Sequence, residues 1–196
     1  MRFCEWALNS YEKFIGGEDM NNKKIVKKVL MEILDWSKVF LFALLISFFI
    51  RSTVVASAIV PTGSMEETIM VGSRIIINRL AYMNEAPERG DIVSFHYPDD
   101  EEELFLKRVM GLPGETIEGI GGYVYINGVK LEEDFTPVVL AYDFGPFTIP
   151  DNCYFMMGDN RNNSLDSRYW QNHFVERSKI IGRAELEYYP QIKLLR

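Results

Sequence analysis

Three short segments carry side chains that could do chemistry together. The first is Gly158-Asp-Asn-Arg-Asn-Asn-Ser-Leu-Asp-Ser-Arg168, which packs four charges, three asparagines and two serines into a loop behind the apolar run Tyr154-Phe155-Met156-Met157. Amides and guanidinium groups at that density need internal partners if they are buried. A hydrogen-bonded structural loop is the plain alternative. The second segment is Pro61-Thr-Gly-Ser64-Met65, where glycine lets the backbone approach a ligand closely and Ser64 sits on a bend. The third is Leu104-Phe-Leu-Lys-Arg-Val109, which places Lys107 inside an apolar strand pattern.

A serine nucleophile needs a base, and the two histidines are poor candidates. His96 precedes Tyr97-Pro98 beside an acidic stretch, and His173 lies in a polar one. Lysine is the known substitute. Strand alternation sets Lys107 on one face with Phe105 and Val109; an edge lysine that snorkels to water is the plain alternative. A free lysine titrates near 10.4, so neutralising it at pH 7 costs about 4.6 kcal/mol. Apolar burial lowers such a pKa by roughly 3–5 units, whereas a nearby carboxylate raises it. Asp159 and Asp166 are therefore expected to be held by arginines, with Arg108, Arg161 and Arg168 as candidates.

These residues need a scaffold. With 196 residues, 47% hydrophobic and 25% charged, the chain can hold one domain with a core and an appendage. A net charge of −7 argues against nucleic acid as a partner. Cys4 and Cys153 form no CxxC, and two histidines make a metal centre improbable, so neither metal nor cofactor is expected.

The appendage is the uncharged run Val39–Ile50. Its flanks extend a transmembrane anchor over residues 35–51, with 1–34 as a cytoplasmic tail and 52–196 as an extracytoplasmic domain. Lys23, Lys24, Lys27 and Lys28 place the N-terminus in the cytoplasm. Cys4 and Cys153 then lie on opposite sides of the membrane. Ala56-Ser57-Ala58 imitates a signal-peptide cleavage site, but cutting there would remove a β-branched segment that reads as the domain's first strand. An uncleaved anchor is expected, with clipping after Ala58 in trans as a side reaction between copies. Met20-Asn-Asn-Lys-Lys makes a more natural beginning than Met1, so Met20 is expected to be the initiator.

From Thr53 onward the pattern is strand and turn. Strands are expected at 53–60, 73–78, 90–97, 104–110, 116–120, 123–126, 129–131, 147–149, 153–157 and 179–189. Gly121-Gly122 and Asn127-Gly128 mark hairpins, and the acidic Asp99–Glu103 reads as a solvated tip. A short turn after Ser64 is the one helical feature outside the anchor. The fold class is mainly β: antiparallel sheets in a bent or barrel-like pair, preceded by one transmembrane helix.

Pro-Thr-Gly-Ser-Met, Arg-Gly-Asp-Ile-Val, Lys-Arg-Val-Met-Gly-Leu-Pro-Gly-Glu and the Gly158–Arg168 loop resemble, in order, the motif boxes of bacterial type I signal peptidases. The resemblance runs from about Asp35 to the C-terminus. It implies a membrane-anchored serine endopeptidase that removes signal peptides from preproteins after small residues (A-x-A) through an acyl-enzyme. Ser64 would be the nucleophile and Lys107 the general base. Thr62 and the Ser64 N–H would form the oxyanion hole. Ser164, Asp166, Arg168 and Asp159 would support the dyad. Ala58, Val60, Met65, Ile69, Phe105 and Leu106 would line small apolar pockets, with core packing as the alternative for each. Preprotein signal peptides, the lipid bilayer and the protein export machinery would be its partners, and the plasma membrane its place.

Two positions depart from the family pattern. Glu66-Glu67 follows Met65 where many relatives have a proline two residues after the methionine, and Ala58 stands where a bulkier residue is frequent. A self-cleaving repressor-type Ser–Lys protease is a second reading, but it would carry a DNA-binding segment instead of an anchor. A binding-only β domain is a third, and it would tolerate Ser64→Ala.

Overall fold

The computed structural model describes residues 20–136 and 138–195. The first nineteen residues, and with them Cys4, lie outside the described ones. The chain divides into two compact units after Ile50.

The first unit is dominated by helix α1 (Met20–Thr53). At 1.5 Å per residue its 34 residues measure about 50 Å. The apolar side chains of Phe40, Leu41, Phe42, Leu45 and Phe48 are all exposed, so no polar face interrupts the run. The stretch Lys24–Thr53, of mean hydropathy 2.0, is long and apolar enough to cross a membrane. The helix reaches well beyond the expected anchor of residues 35–51 because Lys and Glu end a hydrophobic segment without ending a helix.

The second unit is two antiparallel sheets. The larger contains β1 (Val55–Ile59), β2 (Arg74–Asn78), β3 (Ile92–Tyr97), β4 (Asp100–Gly111), β9 (Cys153–Met157), β10 (Val175–Glu176), β11 (Ile180–Tyr189) and β12 (Lys193–Leu194). Their order is β1-β2-β11-β3-β4-β9-β10, with β12 on β11. The smaller contains β5 (Thr116–Ile120), β6 (Tyr123–Ile126), β7 (Val129–Lys130) and β8 (Phe144–Thr148), in the order β7-β6-β5-β8. The expected mainly antiparallel fold is present, as two sheets that do not close into a barrel among the described residues.

Turn chemistry sets the hairpins of the smaller sheet. Asn127 and Gly128 have φ of 50° and 77°, and Gly121 and Gly122 have 56° and 95°. Two consecutive positive φ values match the right-handed strand twist in a two-residue hairpin. Pro146 falls within β8, at the sheet edge where a missing N–H does no harm. Three apolar clusters fill the interior. One of them, built on Val60, Met65, Ile69, Ile75, Ile77 and Ile92, lies beneath the segment that carries Ser64.

The acidic stretch differs from expectation. Asp100–Glu103 belongs to β4 itself, with Tyr97 opposite Asp100, so the hairpin tip is shorter and the acids line an exposed strand arm. Asp99 is fastened instead of free: its carboxylate accepts the backbone N–H groups of Gln171 at 2.8 Å and Asn172 at 2.9 Å. The two-residue strands β10 and β12 have no counterpart in the sequence reading, since two residues carry no periodicity.

Candidate active site

Ser64 stands on a single 3-10 turn, Gly63–Met65, between β1 and β2. Two backbone bonds close the base of this loop: Val60 N–H donates to Ser73 O at 2.9 Å, and Gly72 N–H donates to Val60 O at 2.8 Å. Met65 and Ile69 are wholly buried, and Ile69 N–H donates to Met65 O at 2.7 Å. The loop is thus nailed to the core on both sides of the serine.

Lys107 comes from the middle of β4, opposite Val93 of β3, and is 4% exposed. Its Nζ lies 2.5 Å from Ser64 Oγ and 5.3 Å from the centre of the Phe105 ring. Burial pushes its pKa from the ordinary 10.5 down to about 8; Asp166 and Asp159 pull it back up, and Arg168 pushes it down. With a pKa near 8, deprotonation at pH 7 costs about 1.4 kcal/mol instead of about 4.6 for a free lysine. Roughly a tenth of the molecules then carry a neutral amine at pH 7.

The two aspartates are held by arginines. Arg108 Nε donates to Asp159 Oδ1 at 2.8 Å and its Nη2 to Oδ2 at 2.6 Å. Arg168 grips Asp166 in the same two-pronged way, with both bonds at 2.8 Å. Such forks localise the carboxylate charge on the guanidinium. Asp166 also accepts Gly158 N–H at 3.0 Å, which ties the loop to the end of β9. Arg161, the third candidate, pairs with Glu133 instead and donates to Gly158 O.

The remaining expected residues are distributed as follows. Thr62 is exposed and extended at the start of the 3-10 turn, and its hydroxyl makes no capping bond. Ser164 is buried and its hydroxyl has no hydrogen-bond partner. It packs against the same glycine as the Ser64 segment: a Cβ on Gly158 would overlap both Ser164 Oγ and Ser64 O. Of the pocket candidates, Val60, Met65 and Ile69 are core residues. Ala58, Leu106 and Phe105 are only partly buried and retain surface for a ligand. The histidines engage elsewhere, His96 with Glu101 O and His173 with Ser167 O.

Sequence reasoning missed two contacts. Thr68 Oγ1 donates to Asp159 Oδ2 at 2.5 Å, linking the Ser64 loop to the Arg108–Asp159 pair. Asn160 bonds to the Gly63–Ser64 backbone across 97 residues of chain. Neither has a local signal, because both are made by loops that meet only in three dimensions. Two cavities, of about 790 and 450 Å³, are lined by neither Ser64 nor Lys107.

Residues 33–189 match the family model described as signal peptidase, peptidase S26. Signal peptidase I of Leptolyngbya laminosa is 40% identical over 152 residues, covering 74% of each chain. Signal peptidase I S of Bacillus subtilis (strain 168) is 35% identical over 183 residues, 87% of this chain and 96% of that one. A crystal structure of a signal peptidase I from Enterococcus faecalis V583 aligns over 50% of this chain and 97% of that chain, with 35% identity and a TM-score of 0.44.

Proposed function

The chain belongs to the signal peptidase family, peptidase S26, and we propose that it removes N-terminal signal peptides from preproteins with a Ser64–Lys107 dyad. The observation that carries this reading is a buried amine 2.5 Å from a serine hydroxyl, with its pKa lowered to about 8. A lysine so placed is a base at neutral pH, and a hydroxyl so placed is its substrate.

The reaction follows from that pair. Neutral Lys107 takes the Ser64 proton as Oγ attacks the carbonyl carbon after the small residue at the cleavage point. The tetrahedral oxyanion is met by the Ser64 N–H and the Thr62 hydroxyl. A single such donor contributes roughly 3–4 kcal/mol in comparable sites. Protonated Lys107 passes its proton to the leaving amine, and the acyl-enzyme remains. Lys107, neutral again, then activates a water that releases the signal peptide. Ser164, buried beside Gly158 with an unpartnered hydroxyl, is the group that would orient the amine during the reaction; Arg108 and Arg168 hold the nearby carboxylates, whose upward pull on the Lys107 pKa is outweighed by burial.

Specificity rests on the sheet edge. β1 ends the larger sheet, and its outer side is unpaired among the described residues. An extended preprotein segment adds there as a strand, and main-chain bonds hold it irrespective of sequence. Ala58, Phe105 and Leu106 leave room for small side chains at alternate positions, which selects A-x-A. Helix α1 anchors the enzyme in the plasma membrane with the lysines of its start in the cytoplasm, so that residues 52–196 work outside, where the export machinery delivers preproteins.

The test uses full-length protein in detergent with a preprotein. Cleavage after the A-x-A residue by the native chain, and its abolition in folded Ser64→Ala and Lys107→Ala, is the expected result. Cleavage by either variant at the native rate rejects the dyad.

A further inference from the structure

Asn160 reaches the nucleophile turn at three atoms. Its backbone N–H donates to Ser64 O at 3.2 Å. Its side-chain Nδ2 donates to Gly63 O at 3.0 Å and to Glu66 Oε2 at 3.2 Å. Gly63 O receives a second bond, from Glu66 N–H at 3.1 Å.

The Gly63 carbonyl and the Ser64 N–H belong to one planar trans peptide, so they point in opposite directions and turn together. A group that pins the oxygen therefore aims the N–H. Glu66 completes the arrangement by folding back over Gly63: a Cβ there would lie 2.7 Å from the Glu66 carboxyl carbon. Its charged oxygen accepts one of the two amide hydrogens of Asn160 and leaves the other directed at Gly63 O, a charge-assisted bond that fixes the amide's rotation. A glutamate side chain thus restrains the turn.

We propose that Asn160, oriented by Glu66, is a positioning residue: it fixes the Gly63–Ser64 peptide plane so that the Ser64 N–H meets the oxyanion as it forms. This rests on the reading of Ser64 as the nucleophile. Asn160 touches backbone and not the reacting atoms, so its removal loosens the donor without altering what binds the preprotein or what sets the Lys107 pKa.

The experiment compares full-length Asn160→Ala, Glu66→Ala and Ser64→Ala with the native enzyme in detergent micelles, after thermal melts show the folded fraction. The expected result is a kcat lower by roughly 10–100-fold in Asn160→Ala and roughly 3–10-fold in Glu66→Ala, with KM within about twofold. The acid limb of the kcat/KM profile stays at its native pH in both. A peptide aldehyde ending in Ala-x-Ala, whose adduct with Ser64 carries an oxyanion, loses affinity by the same factor as kcat/KM. An unchanged kcat, or a fall in kcat without loss of aldehyde affinity, overturns the proposal. If Asn160→Ala does not fold, the same readings on Glu66→Ala decide, because that side chain is partly exposed. An inactive Ser64→Ala beside a fully active Asn160→Ala removes the positioning role alone; an active Ser64→Ala removes the nucleophile reading beneath it.

Discussion

Arg108 and Asp159 form a two-pronged ion pair in which both side chains are at most 1% exposed, one residue along β4 from Lys107. Burial of a lysine lowers its pKa only if neighbouring carboxylates are neutralised by something other than that lysine. Arg108 and Arg168 hold the two carboxylates, which still raise the Lys107 pKa but less than burial lowers it, and Ser64 is the hydrogen-bond partner of the amine.

Changes at Asp166 and Arg168 should move the activity profile in opposite directions. Asp166 raises the Lys107 pKa and Arg168 lowers it. Asp166→Asn should shift the acid limb of kcat/KM to lower pH, and Arg168→Met should shift it to higher pH. Both variants leave a buried partner uncompensated and should lose about 3–5 kcal/mol of stability. Profiles measured on the folded fraction, at several pH values, check the two signs.

Lys107 also links stability to pH. Its folded pKa, about 8, lies below the unfolded 10.5, so between these values the unfolded chain holds a proton that the folded one has released. Stability should rise with pH across that window by about 3 kcal/mol and fall back as pH drops through 8. Lys107→Met should abolish this rise and leave the protein more stable than native at pH 7. Denaturant unfolding of both proteins from pH 7 to 10 measures it.

Glu67 adopts φ of 82°, a left-handed backbone that costs a non-glycine residue about 1–2 kcal/mol. Glu67→Gly should therefore stabilise the protein by about 1 kcal/mol. Glu67→Pro should destabilise it, since proline is locked near −65°. Denaturation midpoints of the two variants test it.

The Ala56-Ser57-Ala58 sequence is guarded by the fold. It lies in β1, paired with Ile77, Ile76 and Ile75, and Ser57 Oγ lies 2.8 Å from the Tyr188 hydroxyl. A protease that binds extended chains cannot cut it until β1 leaves the sheet. Native protein should keep its stalk, and a species beginning at Ile59 should appear only near the melting temperature, never with Ser64→Ala. N-terminal sequencing during a temperature series reads this; rapid clipping of fully folded protein would contradict it.

Much of this was legible in the sequence, for physical reasons. β5 and β6 were readable because side chains alternate along them and Gly-Gly and Asn-Gly turns bound the hairpin, and β9 because it is an unbroken apolar run buried on both faces. The need for arginines on Asp159 and Asp166 followed from the energetics of a neutral lysine. Their allocation did not: Arg161 stands closer in sequence to both aspartates than Arg108 does, yet it pairs with Glu133, because only the meeting of β4 with the loop after β9 decides. The acidic arm of β4 was hidden by charged residues that favour no strand. Asn160 was hidden because two of its partners are backbone oxygens, which leave no trace in side-chain types, and the third, Glu66, lies 94 residues away.

The most direct measurement is the titration of the Lys107 side chain itself, followed by NMR of its labelled ε-carbon in the full-length protein and set beside the pH profile of preprotein cleavage. The account predicts one midpoint near 8 for both, with activity rising as the amine loses its proton. A Lys107 midpoint near 10.4, the value of an exposed lysine, with cleavage already maximal at pH 7, would contradict it.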